Sequence, residues 1–193
     1  MALNVFLTGV GCVGKTTIGA ELAALLHIPF HDLDTVVEEY FGKPLARIQH
    51  EFLTSHSYRR AAVEALTDLF RRIYGQDWVI ALPPSGLMYP FGREVMKSGG
   101  WVVVLQADPE DILDRITFYD DDSNLIKKRL SERQKRLQLR EIKKDVTYFK
   151  RSYLSAHMTV DISGLDVRES AVAIKEALEH SVASKQAPPT GNG

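Results

Sequence analysis

The sequence predicts an α/β doubly wound domain, a five-stranded parallel sheet with helices on both faces. Three observations predict it. Short, continuously apolar runs alternate with segments whose apolar residues recur at helical spacing, and strands without a solvated face belong to parallel sheets covered on both sides. A glycine-rich loop separates the first apolar run from the first helical segment. The 193 residues are 45% apolar and 25% charged, which suits one compact domain with a single core.

Taken in order, Val5 to Thr8 reads as a buried strand that runs into glycines. Thr16 to Leu26 carries Ile18, Leu22, Leu25 and Leu26 at helical spacing and follows as a helix. Ile28 to His31, Trp78 to Leu82 and Trp101 to Leu105 read as the next strands, and Val160 to Ile162 as the fifth. Between them, Tyr58, Ala62, Leu66, Leu69 and Ile73 mark one apolar helical stripe, and Val172, Ile174 and Leu178 lie in the last helix. The domain is expected over residues 1–182. The tail from Ala183 to Gly193, ASKQAPPTGNG, has nothing to bury and is expected to be disordered.

Composition narrows the function. A net charge of -1 implies no global attraction to nucleic acid or to an acidic membrane, so anion binding must be local. The single cysteine, Cys12, excludes a disulfide framework and a cysteine-rich metal site. No basic leader and no long apolar run is visible, so a cytoplasmic protein without a membrane partner is expected.

Gly9-Val10-Gly11-Cys12-Val13-Gly14-Lys15-Thr16 matches G-x-x-x-x-G-K-[ST] in the context the motif requires, between a strand and a helix. Glycines let the backbone wrap an oxyanion, amide groups point inward, and the helix presents its positive end. ATP and magnesium are the expected ligands. Gly11, Cys12, Val13, Gly14, Lys15, Thr16 and Thr17 would hold the phosphates, with the Lys15 cation between the β and γ groups and the Thr16 hydroxyl on the metal.

Residues 31–34 read HDLD. Two carboxylates on alternate positions of an extended stretch face the same way, which suits a cation and a hydroxyl acceptor but also a solvated loop edge. The phosphate loop tips the balance. A bound nucleotide needs an acidic group near its metal, and the strand Trp78 to Leu82 ends in Pro83-Pro84 with no carboxylate. Asp32 would supply it, and Asp34 would meet the hydroxyl that receives the phosphoryl, as base or by orienting it.

With these residues in place, the chain resembles the shikimate-kinase-like branch of the nucleoside-monophosphate-kinase group of P-loop proteins. The likeness runs from about Val5 to Leu178 and rests on VFLTGVGCVGKTTIGAELAALLHIPFHDLD, a Tyr-Arg pair opening a later helix, and AHMTVDISGL near the end. The resemblance implies a P-loop NTP hydrolase type of fold and an ATP-dependent kinase for a small hydroxylated metabolite, shikimate first. It implies that Asp32 acts on magnesium through water, Asp34 contacts the acceptor hydroxyl, Arg59 binds the acceptor's carboxylate, and Arg115 packs on adenine. Lys15 and Asp34 would be the catalytic pair. A paralogous kinase for a sugar acid or nucleoside is the alternative, and a non-catalytic nucleotide-binding module a third reading.

Two departures stand out. Where the family has three glycines after the third strand, this chain has Pro83-Pro84-Ser85-Gly86. Proline has no amide hydrogen, so only Ser85 and Gly86 keep donors for the acceptor. The family's acceptor arginine before the last strand falls in register on Tyr148, and its role is not carried over. The second departure is in the lid, expected at about 116–130, where FYDDDSNLIKKRL stands in place of the family's arginine followed by Pro-Leu-Leu, with Lys127, Lys128 and Arg129 as candidate cations. The following KKRLSERQKRLQLREIKK has leucines that fit an amphipathic helix. RNA or DNA binding is not expected there, since no stacking aromatics interrupt the charges before Tyr148 and Phe149.

Overall fold

The computed structural model describes residues 3–120, 122, 124–126 and 129–183. Lys127 and Lys128, and the tail beyond Ala183, lie outside the described residues. In chain order the elements are β1 (Asn4–Thr8), α1 (Lys15–Leu26), β2 (Phe30–Asp32), α2 (Leu33–Phe41), α3 (Leu45–Glu51), α4 (Ser55–Arg72) and β3 (Trp78–Ala81). They continue with α5 (Phe91–Lys97), β4 (Trp101–Gln106), α6 (Pro109–Asp114), a small hairpin of β5 (Phe118–Tyr119) and β6 (Leu125–Ile126), α7 (Glu132–Tyr153), β7 (Met158–Asp161) and α8 (Val167–Ala183).

The main sheet has five parallel strands in the order β2-β3-β1-β4-β7. Alternation along each strand divides the core in two. Val5 and Leu7 of β1, with Val103 and Leu105 of β4, pack with α1 and α8 through Leu22, Ile174 and Leu178. Phe6, Ile80 and Val102 point to the other face, onto Leu33 of α2, Ile48 of α3, Leu66 and Leu69 of α4 and Phe91 of α5. Both faces are covered, as the apolar strands predict.

Several boundaries shift for local reasons. The second strand starts at Phe30, not Ile28, because α1 ends in a left-handed cap at His27 and the Ile28 amide is spent on the Ala23 carbonyl. The helix expected through KKRL begins only at Glu132. Ser131 caps it, its Oγ accepting from the Gln134 amide while the Gln134 side chain accepts from the Ser131 amide. The last helix includes Ala183, which the sequence assigns to the tail, and its buried stripe runs through Ala171 rather than the exposed Val172. The helices α2, α3, α5 and α6 and the hairpin are not foreseen by the sequence reading, since none is long enough to show a period. Among the described residues, no helix is long and apolar enough to cross a membrane.

Leu66 is fully buried at the centre of the second cluster. Leu66→Ala is expected to cost about 2–5 kcal/mol, seen in a denaturant melt as a lower midpoint with an unchanged slope.

Candidate active site

The carboxyl ends of β1, β2 and β3 share one edge of the sheet, where ligands collect in open α/β folds. After β1 the chain must turn back tightly. Gly9 has φ +146°, and a Cβ there would lie 2.6 Å from the Leu105 carbonyl oxygen, so only glycine fits between the loop and β4. Gly14, at φ +111°, is the cap residue of α1. Cys12 also adopts a left-handed conformation, at φ 59°, a strained state for a residue with a side chain. Gly11, Cys12, Gly14, Lys15, Thr16 and Thr17 all line one cavity of about 610 Å³. Val13 does not: its side chain is in the core, and only its backbone remains near the loop.

The Lys15 ammonium donates to the carbonyls of Gly9 at 3.1 Å and Val10 at 2.9 Å. Burial pulls its pKa below the ordinary value, against the attraction of Asp34, Cys12 and Asp32. A bound anion would relieve that penalty.

HDLD is arranged differently from the sequence expectation. The stretch is not extended through Asp34: β2 ends at Asp32, which is the N-cap of α2, and Asp34 lies in that helix's first turn. Asp32 Oδ1 accepts from the Asp34 amide at 2.9 Å, and Oδ2 accepts from the Thr16 hydroxyl at 2.5 Å. Helix geometry, not strand alternation, brings both carboxylates to the cavity. Thr16 and Asp32 form an oxygen-only pair of the kind a hard divalent cation takes alongside phosphate and water. Among the described residues no group of three or more His, Cys, Asp or Glu could hold a metal by itself. Burial, then the Asp32 charge, pushes the Asp34 carboxyl up to about 6, with Lys15 opposing.

Arg115, at the end of α6, also lines this cavity. It is not a solvated surface charge. Its guanidinium donates to the Val13 carbonyl at 3.0 Å and the Leu165 carbonyl at 3.1 Å, tying the phosphate loop to the loop after β7. Leu165, the last residue of the AHMTVDISGL stretch that the resemblance points to, and the adjacent Asp166 line the same cavity.

A second cavity of about 510 Å³ shares Asp34 and Pro84 with the first. Arg59 and Ser85 line it, as expected. Arg59 Nε donates to the Tyr89 carbonyl at 3.2 Å, which orients the guanidinium. Gly86 departs from expectation. It lines neither cavity, its amide is spent on the Pro83 carbonyl at 2.8 Å, and a Cβ there would meet Leu82 at 2.7 Å. It is a packing glycine inside a turn, which leaves Ser85 as the polar residue of that wall.

The sequence does not show that the remaining residues of this chamber come together. Gln49 and Phe52 come from α3 and its end, and Tyr58 from the start of α4. The Tyr58 phenol is pushed up to about 12 by burial and by the charge of Asp34, against a hydrogen bond to Gln49. Tyr148 and Phe149 of α7 close another side, ring edge to ring face, so the position where the family has its second arginine does line the chamber. Only the family register could have pointed to it. In the segment expected to form a lid, Asp122 pairs with Arg47 of α3, and Thr117 lines the first cavity. Arg129 is exposed.

Comparison with known proteins agrees with this arrangement. Residues 11–179 match the family model described as shikimate kinase. A shikimate kinase of Syntrophus aciditrophicus is 38% identical over 58% of this chain, and the match spans 56% of that relative, about half its length. A shikimate kinase of Caldanaerobacter subterraneus is 29% identical over 90% of this chain and 95% of its own. Among solved structures, the shikimate kinase of Acinetobacter baumannii in complex with shikimate superposes with a TM-score of 0.69 at 27% identity, covering 96% of each chain. A match of this extent, on a chain whose phosphate loop and paired aspartates meet at one sheet edge, places the protein in the shikimate kinase family.

Proposed function

We propose that this protein transfers the γ-phosphoryl group of ATP to a hydroxyl of shikimate. The observation that carries the reading is the meeting of two chambers at Asp34: one is lined by the phosphate loop, the other by Arg59 and aromatic rings. A donor phosphate and an acceptor hydroxyl held in these chambers would face each other across Asp34.

The chain's own groups divide the work. Loop amides and the start of α1 receive the phosphates, and Lys15 leaves its two carbonyl partners to neutralise them. Thr16 and Asp32 would hold magnesium, which when bound screens charge on the transferring group. Asp34, with its pKa raised towards neutrality, accepts or orients the hydroxyl proton. Arg59, pre-oriented by Tyr89, receives the acceptor's carboxylate. Arg115 lies on the adenine side, with Gly11 to Thr17 holding the nucleotide. Residues 116–130 act as the lid, and its cation is Lys127, Lys128 or Arg129.

A second reading, with a different acceptor, rests on two departures of the sequence. The Pro83-Pro84 wall has no amide hydrogens where the family has glycines, and Tyr148 stands in the register of an arginine. A coupled ADP-release assay with ATP and magnesium separates the two. Release that requires shikimate supports the first, and release only with gluconate or a nucleoside supports the second.

Lys15→Ala is expected to abolish transfer and weaken ATP binding, measured by calorimetry; unchanged ATP affinity would remove the phosphate-loop assignment. Asp34→Asn should lower kcat at least about 100-fold with ATP affinity retained, which single-turnover assays would show.

The raised Asp34 value also has a signed consequence for the metal-free fold. A carboxyl held at about 6, above its ordinary 3.8, binds its proton more tightly folded than unfolded. Its stabilising contribution is present at low pH and lost as pH rises through about 6. In chelator, Asp34→Asn is therefore expected to stabilise the protein near pH 8 by on the order of 1–3 kcal/mol, with the gain shrinking near pH 4. Thermal melts at the two pH values measure it.

A further inference from the structure

Two elements distant in sequence wall the acceptor chamber: the Pro83-Pro84-Ser85 turn after β3, and the last two turns of α7. The turn is poorly anchored. The Leu82 amide still bonds the Leu7 carbonyl at 2.8 Å, but Pro83 and Pro84 then have no amide to continue the ladder. Beyond that point the turn is held within itself, by Gly86 to Pro83 and Met88 to Ser85.

A side chain of α7 reaches it from outside. The Tyr153 hydroxyl donates to the Pro84 carbonyl at 3.1 Å, across 69 positions of sequence. The Tyr153 ring packs against both core clusters and stacks on Phe149, centroids 5.9 Å apart at 21°. Phe149 in turn lines the acceptor chamber beside Tyr148. The same residue therefore touches both walls, one through its hydroxyl and one through its ring. Pro84 also lines the nucleotide cavity, so its position sets where the two chambers meet opposite Asp34.

We infer that Tyr153 is a positioning residue for the acceptor: its hydroxyl fixes the Pro84 wall that replaces a backbone-donor floor, while its ring fixes the opposing aromatic wall. The ring alone would hold α7 to the core. The hydroxyl donates to the carbonyl of an amide-poor turn at the chamber boundary and also meets the buried Thr8 hydroxyl at the end of β1. In its reference to shikimate this inference rests on the proposed function.

Tyr153→Phe tests it, since it keeps the ring and its stacking and removes only the hydroxyl. Loss of one neutral hydrogen bond at a site that positions the acceptor predicts a rise of about 3- to 10-fold in the KM for shikimate. The KM for ATP should stay within about twofold and the melting temperature nearly unchanged. An unchanged shikimate KM would overturn the inference. So would a parallel rise in both KM values with a lowered melting temperature, which marks a merely structural residue. Hydrogen exchange provides a substrate-free readout. The amides of Gly86 and Met88 should exchange several-fold faster in the variant, and equal rates would overturn the inference. If the native protein does not phosphorylate shikimate, the acceptor assignment fails by itself and exchange still decides the role of Tyr153.

Discussion

A single carboxylate, Asp32, joins the parts on which the site depends. One oxygen caps α2 through the Asp34 amide, and the other accepts from the Thr16 hydroxyl on the first turn of α1. A cap of this kind stabilises a helix by about 1 kcal/mol. Its larger consequence is positional. Asp32 pairs with Ala81 in the sheet, so its height is set by the ladder, and the first turn it caps then determines where Asp34 stands. The turn-forming and ligand-binding readings of HDLD are two oxygens of the same group rather than rivals.

The sheet provides the frame in which that carboxylate acts. Strict alternation sends Phe6 to one face and Val5 and Leu7 to the other, and both layers of helices bury against it. With all strands parallel, their carboxyl ends share one edge, and the loops leaving β1, β2 and β3 are neighbours without further design. The close approach of Gly9 to the Leu105 carbonyl locks the first of those loops against β4.

The site is maintained against local cost. Lys15 is half-buried with its ammonium on backbone carbonyls, Asp34 is half-buried beside a second carboxylate, and Cys12 occupies a left-handed conformation. A bound phosphate would relieve the first and a bound cation the second, while the Cys12 backbone holds strain of the kind kept at functional sites, the usual bargain between stability and activity. The acceptor side differs in kind. Prolines and aromatic rings form its walls, and its orientation depends on side-chain hydrogen bonds such as Arg59 to the Tyr89 carbonyl.

The sequence by itself determined the parallel sheet, the phosphate loop and the paired aspartates, because each is encoded within a short contiguous stretch. Strand alternation, glycine geometry and capping are local physics, legible in Gly9 to Thr16 and in HDLD, although in HDLD a helix cap takes the place of an extended stretch. Only the tertiary structure decided the acceptor chamber. Its walls come from Gln49, Tyr58, Pro84 and Phe149, on four separate elements, of which α3 and the proline turn are too short or too irregular to announce themselves. It also decided that Gly86 is spent inside a turn and that Arg115 is held by two carbonyls. Which groups meet across a cavity depends on how helices pack on the sheet, and that packing is a property of the whole chain rather than of any segment of it.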